Sequence, residues 1–206
     1  FVVDDTGSMA QEQANLAAQF TFFADQMSMT GVDYRIAVVT TDDAAFQGST
    51  RVITPATPNH DAVFAANCTV GTNGSATEQG LMYGLEALAM AEAGQWPNSG
   101  FWRDDAFLLV NILSDEPDQS GSWSTYLDAY RDLKVDDDHV IFNAIVGTDG
   151  FNPIDCTGIY GSAYQGTGYV EAVNATGGVL QSICDADWSQ GLTDMATLSI
   201  QPHDTF

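Results

Sequence analysis

Phe1-Val2-Val3-Asp4-Asp5-Thr6-Gly7-Ser8-Met9 is the stretch whose reading decides the fold. A buried apolar run ends abruptly at a cluster of acids and hydroxyls, with Gly7 permitting a tight turn. Behind it Leu16, Phe20, Phe23 and Met27 recur at steps of 4, 3 and 4, the stripe of an amphipathic helix. Gly31 is the stop signal. Strand, polar turn and helix together form the first half of a βαβ unit.

Working outward, the same alternation continues. Residues 33–41 (DYRIAVVTT) read as a second buried strand, and Arg51-Val52-Ile53 as a short third before Pro55 and Pro58. Residues 61–76 are rich in Asn, Thr, Gly and Ser and show no clear period; Leu81, Leu85 and Leu88 then mark a helix. Residues 106–113 (AFLLVNIL) are continuously apolar, as a central parallel strand is, and end at Ser114-Asp115-Glu116-Pro117-Asp118. Tyr126, Tyr130 and Leu133 suggest a helix, and residues 140–146 (VIFNAIV) another buried strand. A Gly- and Tyr-rich loop over 147–168 precedes a helix near 170–174, a last strand over 179–184 and a last helix over 189–198. The expected fold is α/β, doubly wound, with a mostly parallel central sheet and helices on both faces. One domain is expected over residues 1–206. The chain opens inside an apolar run without Met or signal peptide, so it is expected to be a mature or excised segment of something longer.

Composition removes several functions. The chain carries 28 Asp and Glu (22 of them Asp) against 5 Lys and Arg, a formal net charge of −23. Nucleic-acid backbones are bound by clustered Lys and Arg, and anionic lipid surfaces likewise, so neither is an expected partner. The single lysine, Lys134, follows Leu133, which excludes a phosphate-binding Walker loop. No apolar run approaches the roughly 20 residues of a membrane-spanning helix, so direct membrane insertion is not expected. Hydrophobic residues make up 45% of the chain, enough to build a core despite the charge.

Cys68, Cys156 and Cys184 contain no CxxC pair, which argues against a zinc knuckle. Cys156 and Cys184 flank the late part of the chain and could close a loop there in an oxidising compartment; three buried thiols are the alternative. Asn67, Asn73 and Asn174 head glycosylation sequons of a kind that arises by chance. His60, His139 and His203 have no metal-ligand spacing, and no G-x-S-x-G nucleophile elbow occurs. Tyr160, Tyr164 and Tyr169 could form a recognition rim or be partly buried in an ordinary loop.

In doubly wound folds ligands sit beyond the carboxyl ends of the strands. There the chain places Asp4, Thr6 and Ser8 after the first strand, Thr77 before the helix at Leu81, and Asp115 after the central strand. Carboxylates and hydroxyls are hard oxygen donors suited to Mg2+, Mn2+ or Ca2+. Each loop read alone is equally a turn or a helix cap, since Asp, Ser and Thr favour both. Asp115, Glu116 and Asp118 form a small acidic cluster, readable as a second cation site, a paired-carboxylate site or a solvated loop.

Val3-Asp4-Asp5-Thr6-Gly7-Ser8-Met9 resembles the D-x-S-x-S loop of the von Willebrand factor A domain, the signature of its metal-ion-dependent adhesion site. Thr77 matches that family's second-loop threonine and Asp115 its third-loop aspartate, and the order of strands and helices agrees over nearly the whole chain. Thr6 stands where serine is usual and keeps the hydroxyl. The resemblance implies direct coordination of a divalent cation by Thr6, Ser8 and Thr77, with Asp4 and Asp115 acting largely through water. A carboxylate from a protein partner would complete the coordination. The expectation is a non-enzymatic, cation-dependent adhesion module of a secreted or cell-surface bacterial protein, for which residues 12–16 and 77–81 also resemble a bacterial branch. The alternative is a cytosolic assembly or chaperone-like subunit working beside an ATPase. Lewis-acid catalysis is a third reading, without any evident general base to serve it.

Overall fold

The computed structural model describes residues 1–148 and 155–198. Five strands form one sheet in the order β2-β1-β3-β4-β7, every neighbour parallel. They are β1 (Val2–Val3), β2 (Val39–Thr40), β3 (Leu108–Leu113), β4 (Val140–Val146) and β7 (Leu180–Ser182). The helices are α1 (Ala10–Thr30), α2 (His60–Cys68), α3 (Gly80–Glu92), α4 (Trp123–Asp132), α5 (Tyr169–Thr176) and α6 (Ser189–Leu198). A two-stranded antiparallel hairpin, β5 (Cys156–Gly158) and β6 (Gly161–Ala163), stands apart from the sheet.

The period of two in the strands divides the core. Val2, Ile112 and Ala144 point to one face, where Leu81, Leu88, Leu127, Tyr130 and Tyr169 from α3, α4 and α5 cover them. Val3, Leu113 and Ile145 point to the other, packed under Leu16, Phe20, Phe64 and Leu192 from α1, α2 and α6. Both faces are therefore dry, which is why β3 and β4 read as near-continuous apolar runs. This is the doubly wound α/β architecture expected from the sequence, with the sheet parallel throughout. Asn111 and Asn143 interrupt the apolar run for a reason: Asn143 Nδ2 donates to Asn111 Oδ1 at 2.8 Å, and Val179 N donates to Asn143 Oδ1 at 2.8 Å. Those bonds pin β3, β4 and the approach to β7 in register.

The α1 stripe is buried as its spacing requires, and Gly31 ends the helix in the left-handed conformation (φ 66°). Three expectations are corrected. The expected strand over 51–53 contributes one antiparallel bridge, Ile36 with Ile53, because Pro55 has no N–H with which to carry the pairing further. The stretch without clear period contains α2, whose buried Phe64 and Cys68 lie four apart on one face. The Gly- and Tyr-rich loop contains the β5–β6 hairpin, held to the chain after β7 by a Cys156–Cys184 disulfide with Cα atoms 6.1 Å apart. Cys68 is free and buried, and burial pushes its thiol up to about 12.

Candidate cation site at the carboxyl edge of the sheet

The strand order places the functional edge. From β1 the chain moves to one side to make β2, then returns past β1 to make β3 on its other flank. The loops leaving β1 and β3 therefore diverge, opening a crevice at the topological switch point where such folds bind ligands. Loop Asp4–Met9 follows β1, loop 114–122 follows β3, and loop 69–79 leads into α3. Helices α1 and α3 start here and direct the positive ends of their dipoles at this edge.

Asp4 is the fully buried hub. Its Oδ1 accepts the Thr6 N–H at 2.9 Å and the Thr6 hydroxyl at 2.7 Å, while its Oδ2 accepts the Ser114 hydroxyl at 2.7 Å. One carboxylate thus joins the loops after β1 and β3 across 110 residues of chain. Thr6 Oγ1 lies 3.5 Å from Ser8 Oγ, and the Ser8 hydroxyl stands near enough to the Asp115 carboxyl to favour its charged form. Gln13, on the first turns of α1, straps the second loop: its Nε2 donates to Asp4 O and to Gly71 O, both at 2.8 Å, and its Oε1 accepts Gly71 N–H at 3.3 Å. Gly74 N–H donates to Asp5 O at 2.8 Å, and a Cβ at Gly74 would stand 2.3 Å from Asp5 Oδ1. A side chain there would have to displace the Asp5 carboxylate from its place.

The electrostatics are one-sided. Asp115 Oδ1, Asp5 Oδ1, Glu12 Oε2 and Glu78 Oε1 are buried with no hydrogen-bond partner. Such an orphaned acceptor costs roughly 1–3 kcal/mol, more if charged. Burial first, then repulsion from Asp4, Glu116 and Glu12, pushes Asp115 up to about 6 against the opposing pull of the nearby Ser8 hydroxyl. Burial and the neighbouring Asp42 carboxylate push Asp5 up to about 6. Glu78 is raised by burial and then by Glu116 and Asp4, and Glu12 by burial with a contribution from Asp4. Among the described residues the only Lys or Arg ion pair is Arg103 with Asp33, away from this edge. Among the described residues no Lys or Arg side chain pairs with these carboxylates.

The structure joins Asp4, Thr6 and Ser8 by hydrogen bonds and sets the Asp115 carboxyl beside them, within electrostatic reach of Asp4 and Ser8. Thr77 sits exposed on the neighbouring loop with its N–H donating to Ser75 Oγ at 3.1 Å, and no hydrogen bond joins its hydroxyl to the cluster. It does not cap α3: Asp118 Oδ1 accepts Leu81 N–H at 3.1 Å and Ser120 Oγ accepts Met82 N–H at 3.0 Å. That capping role takes Asp118 out of the small acidic cluster it forms in the sequence. Of the tyrosines, Tyr169 is core, Tyr160 donates to Asn15 Oδ1 at 3.1 Å, and Tyr164 is exposed, its N–H donating to Asp115 O at 2.8 Å. Asn67 is buried and donates to Thr50 O at 2.9 Å, so that sequon is structural. His203 lies outside the described residues.

Ser114 and Asp42 belong to this edge without a motif of their own in the sequence, and Gln13 and Glu78 lie in stretches of bacterial-branch resemblance without a role assigned from them. The hydrophobic-to-polar break after Leu113 was the available signal for Ser114. Among the described residues no three His, Cys, Asp or Glu side chains converge as a metal cage. A cation held here must therefore draw on hydroxyls and water as well as on Asp4 and Asp115. The donor set fits a hard divalent ion: neutral hydroxyls of Thr6 and Ser8, two buried carboxylates, and an orphaned oxygen on Asp115. No protein-family model matches the chain, and no curated protein matches it in sequence.

Proposed function

We propose that the chain is a divalent-cation-dependent protein-binding module of the von Willebrand factor A type, working outside the cytosol. The observation that carries this reading is the Asp4–Thr6–Ser8–Ser114–Asp115 cluster, which gathers oxygens at the switch point of the sheet and leaves Asp115 Oδ1 unmatched. Thr6 and Ser8 would ligate Mg2+ (or Mn2+ or Ca2+) directly, with Thr77 swinging in from the second loop. Asp4 and Asp115 would act largely through water. The cation supplies a desolvated positive point that a carboxylate of the partner completes, and no covalent step is involved. Ser114 and Gln13 hold Asp4 in place.

The Cys156–Cys184 disulfide supports an extracellular or cell-surface setting over a cytosolic subunit beside an ATPase. The test is titration of the native protein with Mn2+ and Mg2+ by calorimetry. One saturable site is expected, weakened about tenfold or more in Ser8→Ala and in Ser114→Ala, whose Oγ orients Asp4. Absence of saturable binding at millimolar cation, or unchanged affinity in both variants, would falsify the reading.

A further inference from the structure

At the carboxyl edge β1 has two flanks. Asp115 follows β3 on one of them, and Asp42 follows β2 on the other. Asp5 belongs to the second flank. Its residue is only 9% exposed, and its Oδ1 is buried without a hydrogen-bond partner. The hydroxyls of Thr6 and Ser114 go to Asp4 and leave the Asp5 carboxylate out of that cluster. It lies instead over Gly74, where an added Cβ would collide with both of its oxygens. Gly74 N–H donates to Asp5 O at 2.8 Å. The next residue holds Asp42: Ser75 N–H donates to Asp42 Oδ2 at 2.8 Å, while Asp42 Oδ1 accepts the Thr40 hydroxyl at 2.8 Å.

Carboxylates from the ends of β1 and β2 therefore converge on one dipeptide, Gly74-Ser75, of the loop that leads into α3. Asp42 is the charge that acts on Asp5 most strongly. Like charges brought this close repel, and among the described residues no Lys or Arg pairs with either. Thr40 and Ser75 supply neutral donors to Asp42 alone, and Asp5 Oδ1 faces its neighbour unmatched. The chemistry missing between two such oxygens is a hard cation. The two carboxylates are fixed by backbone and hydrogen bonds, not free to arrange an octahedron. Mg2+ demands near-ideal octahedral geometry, whereas Ca2+ takes roughly six to eight oxygens at irregular angles and accepts bidentate carboxylates.

We propose that Asp5 and Asp42 hold a Ca2+ ion, separate from the ion assigned to Thr6 and Ser8, with water completing its coordination. The ion ties the ends of β1 and β2 to the loop over residues 69–79, which also carries Thr77. The site stands on its own oxygens and does not rest on the adhesion reading.

The test adds Ca2+ to protein already saturated with Mg2+, reading uptake by calorimetry and amide hydrogen exchange by NMR. A single Ca2+ per chain should be taken up. Exchange at the Gly74 and Ser75 amides should slow about tenfold or more, because both donate to the residues that hold the ion. Ser8→Ala should leave the Ca2+ affinity within about twofold, and Asp42→Asn should weaken it about tenfold or more. Asp5→Asn should weaken it as much while leaving Asp42 its Thr40 and Ser75 donors, so the test survives if Asp42→Asn does not fold. No Ca2+ uptake above Mg2+, or uptake unchanged in both Asp variants, overturns the proposal. So does uptake that Ser8→Ala abolishes, because the added ion would then have replaced Mg2+ at the first site. Ca2+ uptake by a protein that shows no Mn2+ site supports this proposal and sinks the adhesion reading.

Discussion

Replacing Asp115 by Asn should stabilise the cation-free protein and destabilise the cation-loaded one. The Asp115 carboxyl is pushed up to about 6 from an ordinary 3.8, first by burial and then by Asp4, Glu116 and Glu12. Below about pH 4 the group is protonated in both folded and unfolded chains and contributes nothing. Between about 4 and 6 the folded state holds its proton while the unfolded chain loses it. Above about 6 both are ionised, and the folded state then bears the full penalty. Two pKa units at 1.36 kcal/mol each set that penalty at about 3 kcal/mol. Stability in chelator therefore falls as pH rises from about 4 to 6.

Asparagine carries no charge to bury and none for Asp4, Glu116 and Glu12 to repel. At pH 8 in chelator Asp115→Asn should therefore gain about 1–3 kcal/mol over the wild type, and at pH 4 almost nothing. A cation at a hundred times its Kd adds about 2.7 kcal/mol to the wild type and little to the variant. Urea denaturation at both pH values, with chelator and with Mn2+, reads all four states. If the variant is the less stable one in chelator at pH 8, the electrostatic reading is wrong. If Mn2+ stabilises both chains equally, Asp115 is not at a cation site.

Three further outcomes are expected. Gly74→Ala forces a Cβ to within 2.3 Å of Asp5 Oδ1, so it should cost about 1–3 kcal/mol and loosen the second loop, lowering Mn2+ affinity in the same calorimetric titration. Gln13→Ala leaves Asp4 O and Gly71 O without their side-chain donor; a loss of about 1–2 kcal/mol is expected, and a change below 0.3 kcal/mol (roughly the error of such work) would refute the strap. Removing both Cys156 and Cys184 opens a loop of 28 residues and should cost about 3–4 kcal/mol, while a thiol reagent should find no reactive thiol in the native protein and one, Cys68, after unfolding.

The fold was legible where burial imposes a long pattern. β3 and β4 are buried on both faces, which gives their apolar runs, and the α1 stripe from Leu16 to Met27 spans about three turns. Short elements held by partners elsewhere were not. The β5–β6 hairpin depends on its disulfide, and the expected strand over 51–53 fails because its pairing ends at a proline, a matter of partner rather than of propensity. The same division holds at the site. Asp4, Thr6 and Ser8 are readable because one turn carries them all, and Asp115 because it closes the central strand. Ser114 reaches Asp4 over 110 residues, and Gln13 reaches Gly71 over 58, by contacts that only the folded sheet creates. Thr77, read in the sequence as a ligand, stands on the neighbouring loop with no hydrogen bond to the cluster.

The charge of −23 is also arranged along the sheet axis, and that arrangement bears on mechanism. All five cationic side chains are engaged at the amino end of the sheet or along the far ends of its helices. Arg35 donates to Gly100 O, Arg103 pairs with Asp33, Lys134 lies 4.2 Å from the Trp102 ring, Arg51 lies 4.6 Å from Trp96, and Arg131 donates to Ala175 O. The carboxyl end keeps Asp4, Asp5, Glu12, Asp42, Glu78, Asp115 and Glu116 with only helix dipoles to offset them. A field of this sign concentrates small divalent ions at the crevice and repels an approaching acidic protein. On the proposed function, repulsion over the surface and attraction at one bound ion would make recognition stringent, because a partner would gain only by delivering a carboxylate to that point. Salt should then relieve the repulsion more than it weakens the contact at the ion, so moderate ionic strength would speed association with an acidic partner. A partner held by surface charge alone would be basic, and its binding would weaken steadily with salt.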